Sequence, residues 1–101
     1  MRCLGMLFSI LFLSSPVLAG MTPEERCEEQ GDVAEKASTL RISGDDKETA
    51  ISTLTKEYDH SGTSITAQNI RGLVTVSYMA KMKPAKMRDY AIAQCRKDIS
   101  K

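Results

Sequence analysis

The stretch TPEERCEEQGDVAEKASTLRISG, residues 22–44, decides the fold because it predicts one long helix with a cysteine near its start. Thr22 can cap this helix, and Pro23 suits its first turn. Glu25 stands where a capping box needs a carboxylate, and the closing Ser-Gly pair favours a helix end. We therefore expect a helix that runs from Pro23 to position 41 or 42.

One side of this helix carries small side chains at helical spacing, which lets another helix approach closely. The small side chains are those of Cys27, Gly31, Ala34 and Ser38. A neighbouring apolar stripe consists of Val33, Ala37 and Leu40. The two lines together predict that this helix packs against more than one partner.

Helical spacing also predicts three further helices. The second is expected to start at a cap on Asp45 or Asp46 and to end near Tyr58, and its buried face would be Ala50, Ile51, Leu54 and Tyr58. For the third, we expect Ser64 or Thr63 as the cap and a helix whose final residues are 79–83. Residues 73–79 fit both a helical stripe and the alternation of a strand. We choose helix, because every other segment is helical and offers no partner strand.

Pro84 is expected to open the fourth helix. Its buried stripe, at a strict spacing of four residues, would be Met87, Ala91, Cys95 and Ile99. Cys95 therefore lies on a buried face near the end of the chain, as Cys27 does near the start of the first helix. The fold class that follows is all-α, a small bundle of about four helices.

Residues 1–19 have the three parts of a secretory signal peptide. A basic start at Arg2 precedes an apolar run from Leu4 to Leu13, and Val17-Leu18-Ala19 offers a cleavage site after Ala19. The alternative is an uncleaved anchor, but the apolar run is shorter than the about 20 residues that a spanning helix needs. We expect cleavage near Ala19, a single helical domain over residues 20–101 with no transmembrane span, and a periplasmic or secreted location.

Cleavage at that point would change the cysteine count from three to two, because Cys3 lies in the leader. An even number of cysteines in a small exported chain favours a disulfide, here Cys27–Cys95. The alternative is a redox-active pair, but such pairs usually form a CxxC motif, which this chain lacks. The expected role of the bridge is to stabilise a domain too small to build a large core.

Charge is divided unevenly between the two halves of the mature chain. Residues 22–59 contain 11 acidic and 5 basic residues, whereas residues 60–101 contain 2 acidic and 8 basic residues. Either the halves attract each other within one domain, or the basic half binds an anionic partner. The candidate residues for such a surface are Lys81, Lys83, Lys86, Arg88, Arg96 and Lys97. The net charge near zero argues against general nucleic-acid binding.

No constellation of residues predicts catalysis, so we expect a protein that is not an enzyme and has no metal site or cofactor. Asp59-His60-Ser61 holds the residue types of a hydrolase triad, but adjacent loop residues cannot orient one another as that chemistry requires. The single histidine is expected to be a solvated loop residue. Three methionines, Met79, Met82 and Met87, leave monovalent copper as an alternative, although methionines at helical spacing are usually core residues.

Several short motifs resemble a group of small exported proteobacterial proteins of unknown function. The motifs are a cysteine that opens the first helix, Arg41-x-x-Gly44 at the end of that helix, an apolar segment ending in Ser77-Tyr78, and Cys95. The resemblance implies an all-helical periplasmic domain with a disulfide and assigns no activity.

We therefore expect a non-enzymatic binding or interaction module of the cell envelope. Its partner would be an envelope protein or an anionic envelope component, and its oligomeric state stays open. One alternative is a binder of membrane surfaces or anionic polymers through the basic half. Another is an acid-stress chaperone, since the chain is similar in size and helicity to periplasmic chaperones of that kind and its acidic half would lose charge at low pH.

Overall fold

The computed structural model describes residues 21–60 and 62–100. These residues form four α-helices: α1 (Pro23–Ile42), α2 (Lys47–Glu57), α3 (Ala67–Ala80) and α4 (Pro84–Ile99). The prediction of an all-helical fold of about four helices with one disulfide is confirmed. The predicted signal peptide and its cleavage site lie outside the described residues. Within the two described ranges, no helix is both long and apolar enough to cross a membrane.

Both predicted ends of α1 are confirmed. At its start, the hydroxyl of Thr22 accepts a hydrogen bond from the backbone N–H of Glu25 at 3.1 Å, and the Glu25 carboxylate accepts one from the Thr22 N–H at 2.8 Å. At its end, Gly44 adopts φ +101°, which glycine reaches without a steric cost. The N–H of Asp45 then donates to the carbonyl of Leu40 at 3.1 Å, as in a Schellman motif.

α1 and α4 pack closely along the small side chains of α1. All four members of that line are buried. A Cβ atom added to Gly31 would lie 2.7 Å from Cγ1 of Ile92, so only glycine leaves room for this isoleucine. Cys27 and Cys95, 68 residues apart in sequence, form a disulfide between the two helices with their Cα atoms 5.4 Å apart.

The core has two parts, with α1 between them. The larger part joins α1, α2 and α3, together with one residue of the α2–α3 loop, and comprises Val33, Ala37, Ala50, Ile51, Leu54, Ile65, Ile70 and Val74. The smaller part joins α1 and α4 and comprises Ala34, Met87 and Ala91. The predicted face of α2 is buried at Ala50, Ile51 and Leu54, and Tyr58 packs against the larger part.

Ile99 departs from the predicted buried stripe, because its side chain is 44% exposed. It is the last residue of α4 and lies four residues beyond Cys95, while α1 starts four residues before Cys27. The packed interface between the two helices therefore ends beside Ile99, and within residues 21–60 and 62–100 neither helix continues past it.

The structure confirms helix over strand for residues 73–79 and corrects both predicted ends of α3. The N-cap is Thr66, which forms a reciprocal capping box with Asn69, and neither Thr63 nor Ser64 caps the helix. Those two hydroxyls bind a carboxylate of α1 instead. At the other end, α3 stops at Ala80, before the predicted 79–83 segment is complete, because the next residue adopts a left-handed conformation.

Candidate functional site

Two of the six predicted basic residues form ion pairs with α1. The guanidinium of Arg88 pairs with Asp32 and lies 3.3 Å from the Glu35 carboxylate. Arg96 pairs with Glu24, and its hydrogen bond holds the pKa of that carboxyl below the ordinary value. Both arginines therefore join the basic half of the chain to the acidic half.

The other four are exposed lysines that divide between the two ends of α4. Lys97 lies in the last turn of α4, next to Arg96, and about 20 Å of helix separates it from Pro84. Lys81, Lys83 and Lys86 surround the α3–α4 turn and form no ion pair with any residue that the structure describes. The structure therefore brings together three of the six residues, and the other three lie elsewhere on α4.

Two exposed apolar side chains lie at the same end of the bundle as these three lysines. Met79, in the last turn of α3, is 78% exposed, and Ile42, the last residue of α1, is 61% exposed. We call this end the basic tip and define it as Ile42, Met79, Lys81, Lys83 and Lys86.

Two hydrogen bonds hold together the helices and loops that form the basic tip. The guanidinium of Arg41 donates to the carbonyl of Met82 at 2.6 Å, which ties the end of α1 to the α3–α4 turn. The hydroxyl of Tyr78 donates to the carbonyl of Asp45 at 2.6 Å, which ties α3 to the α1–α2 loop. Burial and the nearby negative charges of Asp45 and Asp46 raise the pKa of Tyr78, so the phenol stays protonated as this hydrogen bond requires.

A buried pair of serines lies further inside, where α1 crosses α3. The hydroxyls of Ser38 and Ser77 are 2.7 Å apart, and both side chains are 0% exposed. Each hydroxyl satisfies the other, so this part of the core carries no unpaired hydroxyl group. The motifs Arg41-x-x-Gly44 and Ser77-Tyr78 thus have a structural role, since they close α1 and attach it to α3.

The α3–α4 turn departs from local helix rules at three points. Lys81 follows α3 at φ 55° and ψ 40°, in the left-handed region that glycine or asparagine usually occupies. Lys83 is the N-cap of α4 and makes no capping hydrogen bond with its side chain. The first turn of α4 has no acidic residue to complement the positive helix end.

A carboxylate of α1 that the sequence did not single out holds the α2–α3 loop. Glu29 accepts hydrogen bonds from the N–H of Ser64 at 3.0 Å, from the Ser64 hydroxyl at 2.8 Å and from the Thr63 hydroxyl. Burial opposes ionisation of Glu29, but these hydrogen bonds outweigh it and lower the pKa. Only the three-dimensional structure reveals this contact, because its partners are 34 and 35 residues away in sequence.

A shallow groove of about 250 Å³ lies between α1 and α2, lined by Lys36, Thr39, Leu40, Thr53, Leu54 and Glu57. The Lys36–Glu57 ion pair crosses it. The hydrogen bond from Lys36 to Glu57 raises the pKa of Lys36 to about 12. The Lys36 ammonium lies 4.9 Å from the centroid of the Tyr58 ring. Besides these paired groups, the polar side chains of the groove are the hydroxyls of Thr39 and Thr53.

The remaining predicted chemistry is placed as follows. His60 is exposed, and its Nδ1 accepts a hydrogen bond from the N–H of Gly62 at 3.1 Å. Met87 is fully buried while Met79 faces solvent, so the methionines do not converge on one copper ligand set. Among residues 21–60 and 62–100, no cluster of three histidine, cysteine, aspartate or glutamate side chains could hold a metal ion.

No family model matches the chain, and no curated protein or solved structure is significantly similar to it.

Proposed function

We propose that this protein is a non-enzymatic binding module of the cell envelope that engages an anionic envelope component through its basic tip. The observation that carries the proposal is the position of Lys81, Lys83 and Lys86 at one end of the bundle, exposed and without ion-pair partners among the described residues. Arg88 and Arg96 are engaged by carboxylates of α1, so three of the four remaining basic candidates, all lysines, lie together at the tip.

Several features support a binding role over catalysis. Both cysteines of the described residues are bonded to each other, and the sole histidine of the chain is exposed in a loop. The disulfide also supports an exported location, since such bonds persist in oxidising compartments. The family resemblance stays a prediction.

The proposal is tested by retention on immobilised dextran sulfate, an anionic polysaccharide probe, over a series of salt concentrations. The wild type should be retained at low salt and released as salt screens the lysines. The variant Lys81→Gln/Lys83→Gln/Lys86→Gln should lose this retention. The control Arg26→Gln/Lys56→Gln/Lys97→Gln removes the same charge away from the tip and should keep most of the retention.

Two outcomes would contradict the proposal. Absence of retention at low salt would exclude binding of an anionic component. An equal loss in the two triple variants would mean that net charge, and not the basic tip, causes the retention.

A second candidate function, an acid-stress chaperone, is favoured by one contact, the capture of the α2–α3 loop by Glu29. The pKa of this carboxyl is lower in the folded protein than its ordinary value of 4.5. Its contribution to stability is therefore complete above that value and is lost as pH falls through the folded pKa. Acid would release the loop and expose part of the larger core.

The chaperone candidate is tested by unfolding and by aggregation of an unfolded client at neutral pH and at about pH 3. The candidate requires that the chain loosen in acid and suppress aggregation only there. Glu29→Gln should flatten the pH dependence of stability, whereas Asp59→Asn, at an exposed loop carboxylate, should leave it unchanged. A domain that stays closed in acid would exclude this function.

A further inference from the structure

We propose that the anionic component bound by the basic tip is a lipid bilayer surface, with the lysines at the headgroup phosphates and Met79 and Ile42 in the interface. This inference rests on the proposed function and specifies its ligand. A binder of soluble polyanions needs only positive charge. The tip adds two apolar side chains that are 78% and 61% exposed. A soluble polyanion would leave these side chains in water, whereas a bilayer interface would remove apolar surface from water.

The combination of charge and apolar surface is the one that interfacial membrane binding uses. Basic residues contribute attraction to anionic headgroups, and their long side chains can reach phosphates while apolar neighbours enter the headgroup boundary. At the basic tip, three lysines lie on the α3–α4 turn and the first turn of α4, and the apolar residues end α1 and α3. The hydrogen bonds of Arg41 and Tyr78 hold these elements together, so all five side chains belong to one rigid end.

The backbone at the tip supports the same assignment. A glycine at position 81 would relieve the left-handed conformation, and an Asp or Ser at position 83 would cap α4. The chain has lysine at both positions. Departures from local helix rules of this kind are expected at functional sites, where charge is retained at a cost in stability.

Carboxylates also lie near the tip and limit how it can dock. Asp45 and Asp46 belong to the α1–α2 loop beside Tyr78, and the Asp46 side chain accepts a hydrogen bond from the N–H of Thr49 at 2.7 Å as the cap of α2. An anionic surface would repel these two groups. We therefore infer that the α3–α4 turn meets the bilayer and that the α1–α2 loop points away from it.

The first experiment measures partition of the full chain onto vesicles of phosphatidylglycerol and phosphatidylethanolamine in equal parts, with phosphatidylcholine vesicles for comparison. The wild type should bind the anionic vesicles alone. Each lysine removed from the tip should weaken binding about fivefold, and Lys81→Gln/Lys83→Gln/Lys86→Gln about a hundredfold. Ile42→Gln/Met79→Gln keeps the charge and should weaken vesicle binding about tenfold without changing retention on dextran sulfate.

The matched control is Ile99→Gln, which removes an exposed apolar side chain at the opposite end of α4 and should leave vesicle binding unchanged. The chain has no tryptophan, so a single introduced indole reports its own surroundings. Fluorescence of Met79→Trp should shift to shorter wavelength when anionic vesicles are added, whereas Ile99→Trp should not respond. Tryptophan is suited to this test because it favours the membrane interface.

The outcomes separate the bilayer inference from the proposed function. Retention on dextran sulfate without vesicle binding would overturn the bilayer and leave anionic binding in place. Equal vesicle binding by the wild type and Ile42→Gln/Met79→Gln, or equal fluorescence responses at positions 79 and 99, would also overturn it. Binding to neither probe would overturn both proposals.

Discussion

The two ends of the helical bundle are held by different kinds of interaction. At the end that contains Cys27, a covalent bond, a close α1–α4 contact at Gly31 and the Glu24–Arg96 ion pair join α1 and α4. At the basic tip, hydrogen bonds from Ser38, Arg41 and Tyr78 add to the packing of the core and attach α1 and the α1–α2 loop to α3 and the α3–α4 turn. The first end has an ion pair between α1 and α4, whereas the three lysines of the tip are exposed and form no ion pair with a described residue.

This difference shows how a small domain can combine stability with exposed basic and apolar side chains at one end. The disulfide and the small-residue contact stabilise the fold far from the tip, so the tip can depart from helix rules without unfolding the chain. The hydrogen bonds beneath the tip use backbone carbonyls and buried hydroxyls, which leaves the lysine ammonium groups free for a ligand. The predictions that follow alter one end at a time.

The largest effect is expected at the disulfide end. Cys27→Ala/Cys95→Ala should lower the free energy of unfolding by about 2–4 kcal/mol, because the bridge restricts the unfolded chain over a separation of 68 residues. Urea unfolding of the variant, and of the wild type with and without a reductant, measures the loss in free energy of unfolding. Retention on dextran sulfate at a temperature where the variant is folded should not change.

Two results would contradict this account of the two ends. A loss well under 1 kcal/mol would mean that noncovalent contacts alone hold the first end. A loss of dextran sulfate retention by a folded variant would mean that the two ends are not independent.

The next effect concerns the buried serine pair below the tip. Ser38→Ala should destabilise the fold by about 1–3 kcal/mol, because it leaves the Ser77 hydroxyl buried without a partner. The double variant Ser38→Ala/Ser77→Ala removes both hydroxyls and should be closer to the wild type than the single variant. A double-mutant cycle from urea unfolding measures the coupling, and simple additivity would show that the hydroxyls do not depend on each other.

The sequence predicted most of the fold because its signals were local or strongly periodic. The capping box at Thr22, the Ser-Gly end of α1 and the line of small residues each depend on residues within a few turns of one another. The cysteine pair was predicted without geometry, from an even count in an exported chain. These signals were sufficient for helix number, for most helix ends and for the disulfide.

The errors came from contacts between distant parts of the chain. Three hydroxyl residues, Thr63, Ser64 and Thr66, competed as the cap of α3, and Glu29 on α1 decides the choice by binding the first two. One local signal could have found the cap, since Asn69 stands three residues after Thr66 and completes the capping box. The six basic residues could not be sorted either, because the pairing of Arg88 and Arg96 depends on the antiparallel alignment of α4 with α1.

Two glycines in helix interiors test the close contact between α1 and α4. Gly31→Ala gains helix propensity but places a Cβ atom 2.7 Å from Ile92, so we expect a net loss of about 1–2 kcal/mol. Gly72→Ala is the matched control, because no atom lies within 4 Å of the added Cβ, and it should stabilise the fold by about 1 kcal/mol. Thermal unfolding of the two variants gives the signs. Equal signs would contradict the close α1–α4 contact.

The smallest stability effect is expected at the tip, where stability and binding should change in opposite directions. Lys81→Gly removes a side chain from a residue at φ 55° and should stabilise the fold by about 1 kcal/mol, while weakening dextran sulfate retention about fivefold. Lys86→Gly removes the same charge inside the first turn of α4, where glycine costs about 1 kcal/mol of helix propensity. It should weaken retention equally and lower the melting temperature. If Lys81→Gly left retention intact, the left-handed lysine would have no binding role; if it lowered the melting temperature, the strain at position 81 would be absent.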